Sequence, residues 1–424
     1  MKPRRRLLAV GQMSGTSRDG LDTVVLEIRG RFPNNTIRML HAETYPYRPA
    51  VRRYLGLDAS LDPGTFSARR LSRMHFDLGR FCALMAERAI RHAGLSLEDI
   101  DVIGCHGQTI YHRPSWQFRR HWAEDLPRDG SSVRSLVIEV PETPSTLQAG
   151  SGAVIAAITG ITAVTDFRSG DVAVGGEGAP LVPIYDYVAL RSPTKSRVAL
   201  NIGGIANLTA IPKRSPVGAI LSFDTGPGNC VIDTAMRLLT RGRLGFDRDG
   251  AWAKRGSADP GALRAMLRHR YLRRLPPKST GWEEFGLPYT SRIVEQLEHK
   301  RVDKHSIIRT VSEAVAESIA RSIEQFVRPK MAVDEVIVTG GGANNLFLME
   351  VLKRRLAPAR VDRGEAFGVD SRYKEACAFA YLAYLRLKGI PANVASQRQG
   401  LQAVVLGAVY PGRPRRPLVK RPRT

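Results

Sequence analysis

Two α/β domains are what the sequence predicts, and three observations carry the expectation. At 424 residues the chain is longer than one hydrophobic core ordinarily serves. Apolar strand runs bounded by glycine turns alternate with long amphipathic helices. A strand–glycine turn–strand pattern near residue 14 returns near residue 203, as expected of two related domains facing each other across a cleft.

Taken in order, residues 7–10 form a buried strand run, and residues 22–28 form its partner after a Gly/Ser/Thr turn. Leu71, Met74, Leu78, Phe81, Met85 and Ile90 then recur at helical spacing across residues 67–93. Residues 100–103 make a strand that leads into Gly104 to Thr109, and residues 114–145 read as a surface insertion. The second half repeats the plan, with strands at 197–201 and 206–211 around Gly203 and Gly204. Residues 221–224 run into the turn Thr225 to Asn229, and Val311, Ala314, Val315, Ile319, Ile323 and Phe326 make a helical stripe. A strand at 335–339 ends in Gly340, Gly341 and Gly342 before another helix, and Glu375 begins an apolar helix over 376–387.

Composition is ordinarily globular, but 64 Lys+Arg against 40 Asp+Glu leave a net charge of +24. Such an excess favours anionic partners. Much of it sits in residues 1–6 and 411–423, which read as solvated, proline-broken tails rather than nucleic-acid or membrane contacts. Cys82, Cys105, Cys230 and Cys377 are far apart and form no CxxC pair, so neither a cysteine zinc site nor a disulfide framework is implied. A reducing, cytoplasmic compartment fits. The N-terminus lacks a signal-peptide apolar stretch, and the most apolar run, 153–164, is too short to span a bilayer. A soluble protein is expected.

Three glycine turns carry candidate chemistry. In the first, over residues 11–22, glycines free the backbone to point N–H groups inward, while Ser14, Thr16 and Ser17 add hydroxyls and Arg18 adds charge. Oriented amides of this kind can cradle phosphate oxygens, although neither a Walker A ending nor G-x-G-x-x-G is present. The second holds Asn201, Gly203 and Gly204. The third, Gly340 to Asn344, permits close approach of a flat ligand, and the Asn344 amide offers both donor and acceptor. Each alone also suits a plain turn; jointly they suit a nucleotide, two turns for phosphates and the third for a nucleoside. Asp224 ends an apolar strand before Gly-Pro-Gly, which suits a carboxylate that takes a proton in phosphoryl transfer. A turn-capping Asp would look the same. His106, Arg168 and Glu375 are candidate sugar contacts, each equally compatible with a structural role.

As a set these segments resemble the anhydro-N-acetylmuramic acid kinases, on the sugar kinase/actin/heat-shock-chaperone ATPase fold. The matching pieces run in family order: residues 13–17 with 19–20 and 22, 106–109, 166–168, 178–183, 201–204, 223–224 with 226–229, 246–250, 276–281, 340–342 and Glu375. The resemblance implies an actin-like (ribonuclease H-like) fold with a nucleotide and sugar cleft, its domains at 1–168 plus about 390–424 and at 169–389. It implies ATP and Mg²⁺, with phosphates held by Gly15, Thr16, Ser17, Arg18, Asp19, Gly20, Leu21 and Asp22, and adenosine near Gly340–Asn344. Which residues hold the metal is left open. The resemblance carries the catalytic base onto Asp224 and sugar contacts onto His106 and Glu375. The implied reaction opens a 1,6-anhydro bridge with water and phosphorylates O6, giving N-acetylmuramate 6-phosphate and ADP, a step in cell-wall sugar recycling. A homodimer is a further family expectation. Arg18, Glu177 and Trp282 depart from the pattern, which expects an apolar residue, Gln and Arg there. Two alternatives stay open, a levoglucosan-type anhydrosugar kinase and a nucleotide- or nucleic-acid-binding protein without turnover.

Overall fold

The computed structural model describes residues 6–15, 19–55, 67–113, 144–397 and 400–413. It divides into two compact units, Met1–Tyr185 with Glu375–Thr424, and Asp186–Lys374. Most of the expected insertion, residues 114–143, lies outside the described residues, as do both basic tails except residues 6 and 411–413; residue 145 already begins a strand.

The first unit is built on strands β1 (Arg6–Ser14), β2 (Gly20–Arg29), β3 (Thr36–Pro46), β4 (Val102–Arg113), β5 (Ser145–Ala149), β6 (Ala163–Thr165) and, last in the chain, β12 (Ala408–Tyr410). The order is β12-β6-β4-β1-β2-β3, with β5 paired to β4. β1, β2 and β3 form an antiparallel meander, and β4 and β6 continue the sheet in parallel. Nearly every residue of β2 is buried, as expected of a strand covered on both faces. One cover is the helix Ala68–His92, whose Met74, Leu78, Cys82, Ala86 and Ile90 repeat every four residues, and whose first turn is capped by Ser67 accepting from the Arg70 N–H. Another is the helix Lys374–Leu387, buried almost all round through Phe379, Tyr381 and Leu385. Gly11 on β1 and Gly104 on β4 admit it: a Cβ at either would run into the Ala376 or the Phe379 carbonyl. The junctions therefore fall after residues 185 and 374, where the sequence suggested 168 and about 390. An apolar helix shows that it is buried, not against which sheet.

The second unit repeats the plan. β7 (Arg197–Ile202), β8 (Ile205–Ile211), β9 (Leu221–Pro227), β10 (Glu335–Thr339) and β11 (Arg360–Arg363) lie in the order β11-β10-β7-β8-β9. Again the first three form the meander, and the last two run parallel. Five strands of each sheet thus share one topology, as expected of the actin-like class that the sequence resembles. The helices Asn229–Leu239, Lys304–Ser322 and Leu346–Leu356 pack their apolar sides into one core with this sheet. Asp303 and Asn345 cap the last two through N–H groups of their first turns. A π-turn, Ile323–Val327, extends the longest of them and brings Phe326 edge-on to Phe223.

This unit begins and ends on one ion pair. Lys374 Nζ lies 2.9 Å from the Asp186 carboxylate, with both side chains buried. Thr209 Oγ1 donates to Asp186 at 3.0 Å, and Lys374 donates to Thr339 Oγ1 at 3.4 Å. Among the described residues no helix is long and apolar enough to cross a membrane.

Candidate functional site

Strand register assembles a polar row across the second sheet. Thr339 on β10 is opposite Asn201 on β7, Asn201 is opposite Asn207 on β8, and Asn207 is opposite Asp224 on β9. Directly paired residues put their side chains on the same face, so four polar groups line up where their strands meet the glycine turns. A shift of register between Ala206 and Asn207 allows the last pairing.

Asp224 is held from outside the sheet. Its Oδ2 accepts from Ser279 Oγ at 2.9 Å and from the Thr280 N–H at 3.0 Å. The backbone is tied as well: the Asp224 N–H donates to the Lys278 carbonyl at 3.1 Å, and Tyr271 OH donates to the Asp224 carbonyl at 2.8 Å. Among the described residues Oδ1 accepts no hydrogen bond, which leaves one oxygen for chemistry. Burial raises the carboxyl to about 6, against the Thr280 and Ser279 hydrogen bonds; the Glu283 charge adds to the rise, and Lys278 opposes it. A carboxylate so placed is a proton acceptor near neutral pH.

Lys278 secures this loop. Its ammonium donates to the Tyr271 and Leu272 carbonyls at 3.4 and 3.2 Å. It also lies 4.8, 4.9 and 5.7 Å from the ring centroids of Phe326, Tyr271 and Phe223. Burial pulls it down to about 8. The sequence marks 276–281 but assigns no residue there to the site; Lys278, Ser279, Thr280 and Tyr271 are the groups it missed.

The glycines pack the turns closely. A Cβ on Gly340 would lie 2.6 Å from Asn201 Oδ1 and 2.8 Å from the Ile202 carbonyl, and one on Gly342 would strike the Ile202 side chain. Gly340 also has φ +81, which an L side chain rarely adopts. Gly203 and Gly204 accept from the Asn229 and Cys230 N–H groups, so the first amides of that helix are already satisfied by the turn. The Asn229 side chain donates to the Ile202 carbonyl at 3.2 Å. Gly341 and Asn344 are exposed, and the indole of Trp282 rests against Gly204.

In the first unit, β4 carries the strand expected at 100–103 on through Gly104 to Thr109; Gly107, at φ +73, marks an irregularity opposite β1. The ring of His106 is buried there, its Nδ1–H donating to the Gly107 carbonyl at 2.9 Å and its Nε2 accepting from Arg168 Nε at 2.9 Å. Burial, with the Arg168 charge, lowers His106 to about 3, so the ring is neutral. Arg168 also donates to the Gly178 carbonyl at 2.8 Å, and the exposed Glu375 carboxylate favours its charge. Three sequence candidates, His106, Arg168 and Glu375, are thereby linked.

Around the first turn, Ser14 is buried and donates to Gln108 Oε1 at 2.7 Å while accepting from Tyr47 OH at 3.1 Å. The Leu21 side chain is in the core, so only its backbone is open to a ligand. Asp22 accepts from Thr44 Oγ1 at 2.5 Å; Gly20 pairs with Pro46, Gly15 is partly exposed and Asp19 exposed. Thr16, Ser17 and Arg18 lie outside the described residues.

The family model "Anhydro-N-acetylmuramic acid kinase" matches residues 7–122 and 129–412. The anhydro-N-acetylmuramic acid kinase of Caldanaerobacter subterraneus subsp. tengcongensis is 39% identical over 402 residues, covering 95% of this chain and 96% of that protein. The protein of that name from Bacillus cereus is 36% identical over 404 residues, covering 94% and 98%. The matches take in both sheets, the polar row and the Asp224 loop, and on them the chain belongs to the anhydro-N-acetylmuramic acid kinase family.

Proposed function

We propose that this chain is an ATP-dependent kinase that opens the 1,6-anhydro ring of anhydro-N-acetylmuramic acid and phosphorylates O6. The products are N-acetylmuramate 6-phosphate and ADP. One observation carries the mechanism: a carboxylate raised to about 6, with one oxygen fixed by Ser279 and Thr280 and the other open.

Asp224 takes a proton from water as that water attacks the anomeric carbon. The bond from that carbon to O6 breaks, O6 attacks the γ-phosphorus, and ADP leaves; one water is consumed and one proton released. A single carboxylate suffices because the phosphoryl group captures the leaving oxygen, whereas a glycosidase needs a second carboxyl to protonate it. Neutral His106, fixed by Arg168, supports a sugar contact that accepts or donates without charge, and Glu375 supports a second.

For the nucleotide, the amides of Gly15 and Asp19–Asp22, with Thr16, Ser17 and Arg18, are assigned to phosphate. Asn201, Gly203 and Gly204 are assigned to phosphate as well, and Gly340–Asn344 to adenosine. The close packing at Gly340 and Gly342 supports a surface that a flat base can approach. Asp19 and Asp22 offer the oxygen donors that Mg²⁺ prefers. When bound with the nucleotide, Mg²⁺ supplies charge neutralisation at the phosphates. Four buried cysteines, far apart in sequence and without a CxxC pair, support a cytoplasmic location.

The test supplies Mg-ATP and either anhydro-N-acetylmuramate or levoglucosan in ¹⁸O-labelled water, and follows ADP and product mass. The reading expects a muramate phosphate with one ¹⁸O on the anomeric carbon and none in the phosphate. Turnover of levoglucosan alone would replace the substrate and keep the mechanism. No ADP above background with either sugar would overturn the kinase reading.

A further inference from the structure

We propose that His41, Glu43 and His92 bind a transition-metal dication of the zinc class, fastening the exposed edge of the first sheet to the end of a helix. His41 and Glu43 are two residues apart on β3, so their side chains share a face. His92 is the last residue of the helix Ala68–His92. Their ligand atoms lie within 4.8 Å of one another, which no other trio of His, Cys, Asp or Glu offers among the described residues.

Glu43 Oε2 is over-subscribed. It accepts from His92 Nδ1–H at 2.8 Å, from His41 Nε2–H at 3.4 Å and from Tyr45 OH at 3.0 Å. A carboxylate oxygen has two lone pairs, so three donors crowd it. A cation would replace the two imidazole N–H donors, turning both nitrogens into ligands. The rings already meet edge to face at 5.6 Å, so neither blocks the other's approach. The side chains of His41, Glu43 and His92 keep 23, 29 and 43% of their surface, which leaves an entry path and room for a water as fourth ligand.

The donor set selects the ion. Two imidazoles and one carboxylate suit Zn²⁺, Co²⁺ or Ni²⁺, whereas Mg²⁺ and Ca²⁺ want oxygen only. The consequence is structural. Among the described residues β3 ends the sheet and its outer backbone groups have no strand partner, and a metal clamp would hold that edge against the helix.

The full chain, stripped with chelator, is titrated at pH 7.5 with Zn²⁺ and with Co²⁺. We expect one Zn²⁺ per chain, a higher Tm reversed by chelator, and a visible Co²⁺ band of tetrahedral intensity without a near-ultraviolet thiolate band. His92→Gln and Glu43→Gln should each weaken binding by at least about tenfold and leave ADP release unchanged. Saturable binding that is absent, that survives both substitutions, or that shows thiolate absorption from the cysteines would overturn the proposal.

Discussion

In the 186–374 unit the carboxylate sits on the third strand of the meander, Asp224 on β9; in the other unit it sits on the second, Asp22 on β2. The equivalent row there reads Thr44, Asp22 and Met13 across β3, β2 and β1. Asp22 is answered from within its sheet by the Thr44 hydroxyl. Asp224 is answered by a loop more than fifty residues further on, through Ser279 and Thr280. A repeated strand order thus supplies equivalent slots, and the proposed function gives the two carboxylates different work according to their partners: Asp22 a phosphate turn, Asp224 proton transfer.

The largest test of that division is Asp224→Asn. Turnover should fall by about 10²–10⁴-fold while the sugar still binds. Stability should move the other way. A carboxyl raised in the folded state stabilises fully below its unfolded value, and that contribution is lost as pH rises through about 6. The amide removes this loss, so Tm at pH 8 should equal or exceed that of the parent. Asp22→Asn should instead raise KM for ATP more than it lowers kcat; a loss of kcat matching that of Asp224→Asn would erase the contrast.

The pH profile comes next. kcat/KM should fall about tenfold per unit below about pH 6, following Asp224. His106, held near 3, adds no limb between pH 5 and 8. It does add a stability slope: its depressed value means stability is present above the unfolded histidine value and is lost as pH falls below about 6.5. A second activity limb that His106→Asn abolishes would assign proton transfer to both units.

Glycines sharpen the comparison at the level of packing. Gly104→Ala drives a methyl into the Phe379 carbonyl and should cost about 1–3 kcal/mol, read by chemical denaturation. Gly204→Ala meets only the Trp282 ring, 3.3 Å away and half exposed, and should cost far less. Equal losses would mean that the turn of the second unit is as rigid as the helix-covered sheet of the first. The smallest expected effect belongs to Lys278→Met. Removing the cation beside Asp224 should lift the acidic limb by up to about one unit and lower kcat a few-fold, with KM nearly unchanged. Lost folding in place of a moved limb would make Lys278 a purely structural residue.

Much of this was legible in advance because it is local. The strand at 335–339 and the helix beginning near 67 follow from periodicity and turn residues, whereas the strand expected to end at Asp224 continues to Pro227 and carries the carboxylate at its middle. What was not legible depends on pairing over distance. Lys278 meets Phe326 and Phe223 only after the sheet and the long helix have come together. Asn207 joins the polar row through a shifted register that no local pattern announces. The helix 374–387 is apolar enough to have joined either core, and the glycines that receive it, Gly11 and Gly104, lie far back in the chain.

The ion pair between Asp186 and Lys374 has a consequence for inheritance. The chain enters the second unit at one of these residues and leaves it at the other, so the whole excursion is a loop whose two ends meet across 2.9 Å. A segment tied off in that way can be cut out, exchanged with a homologue or reopened elsewhere as a circular permutant while leaving matched ends behind. Breaking one partner alone would strand a buried charge at the seam, at a cost of about 3–5 kcal/mol. A segment exchanged or permuted at these borders therefore needs to carry both residues together.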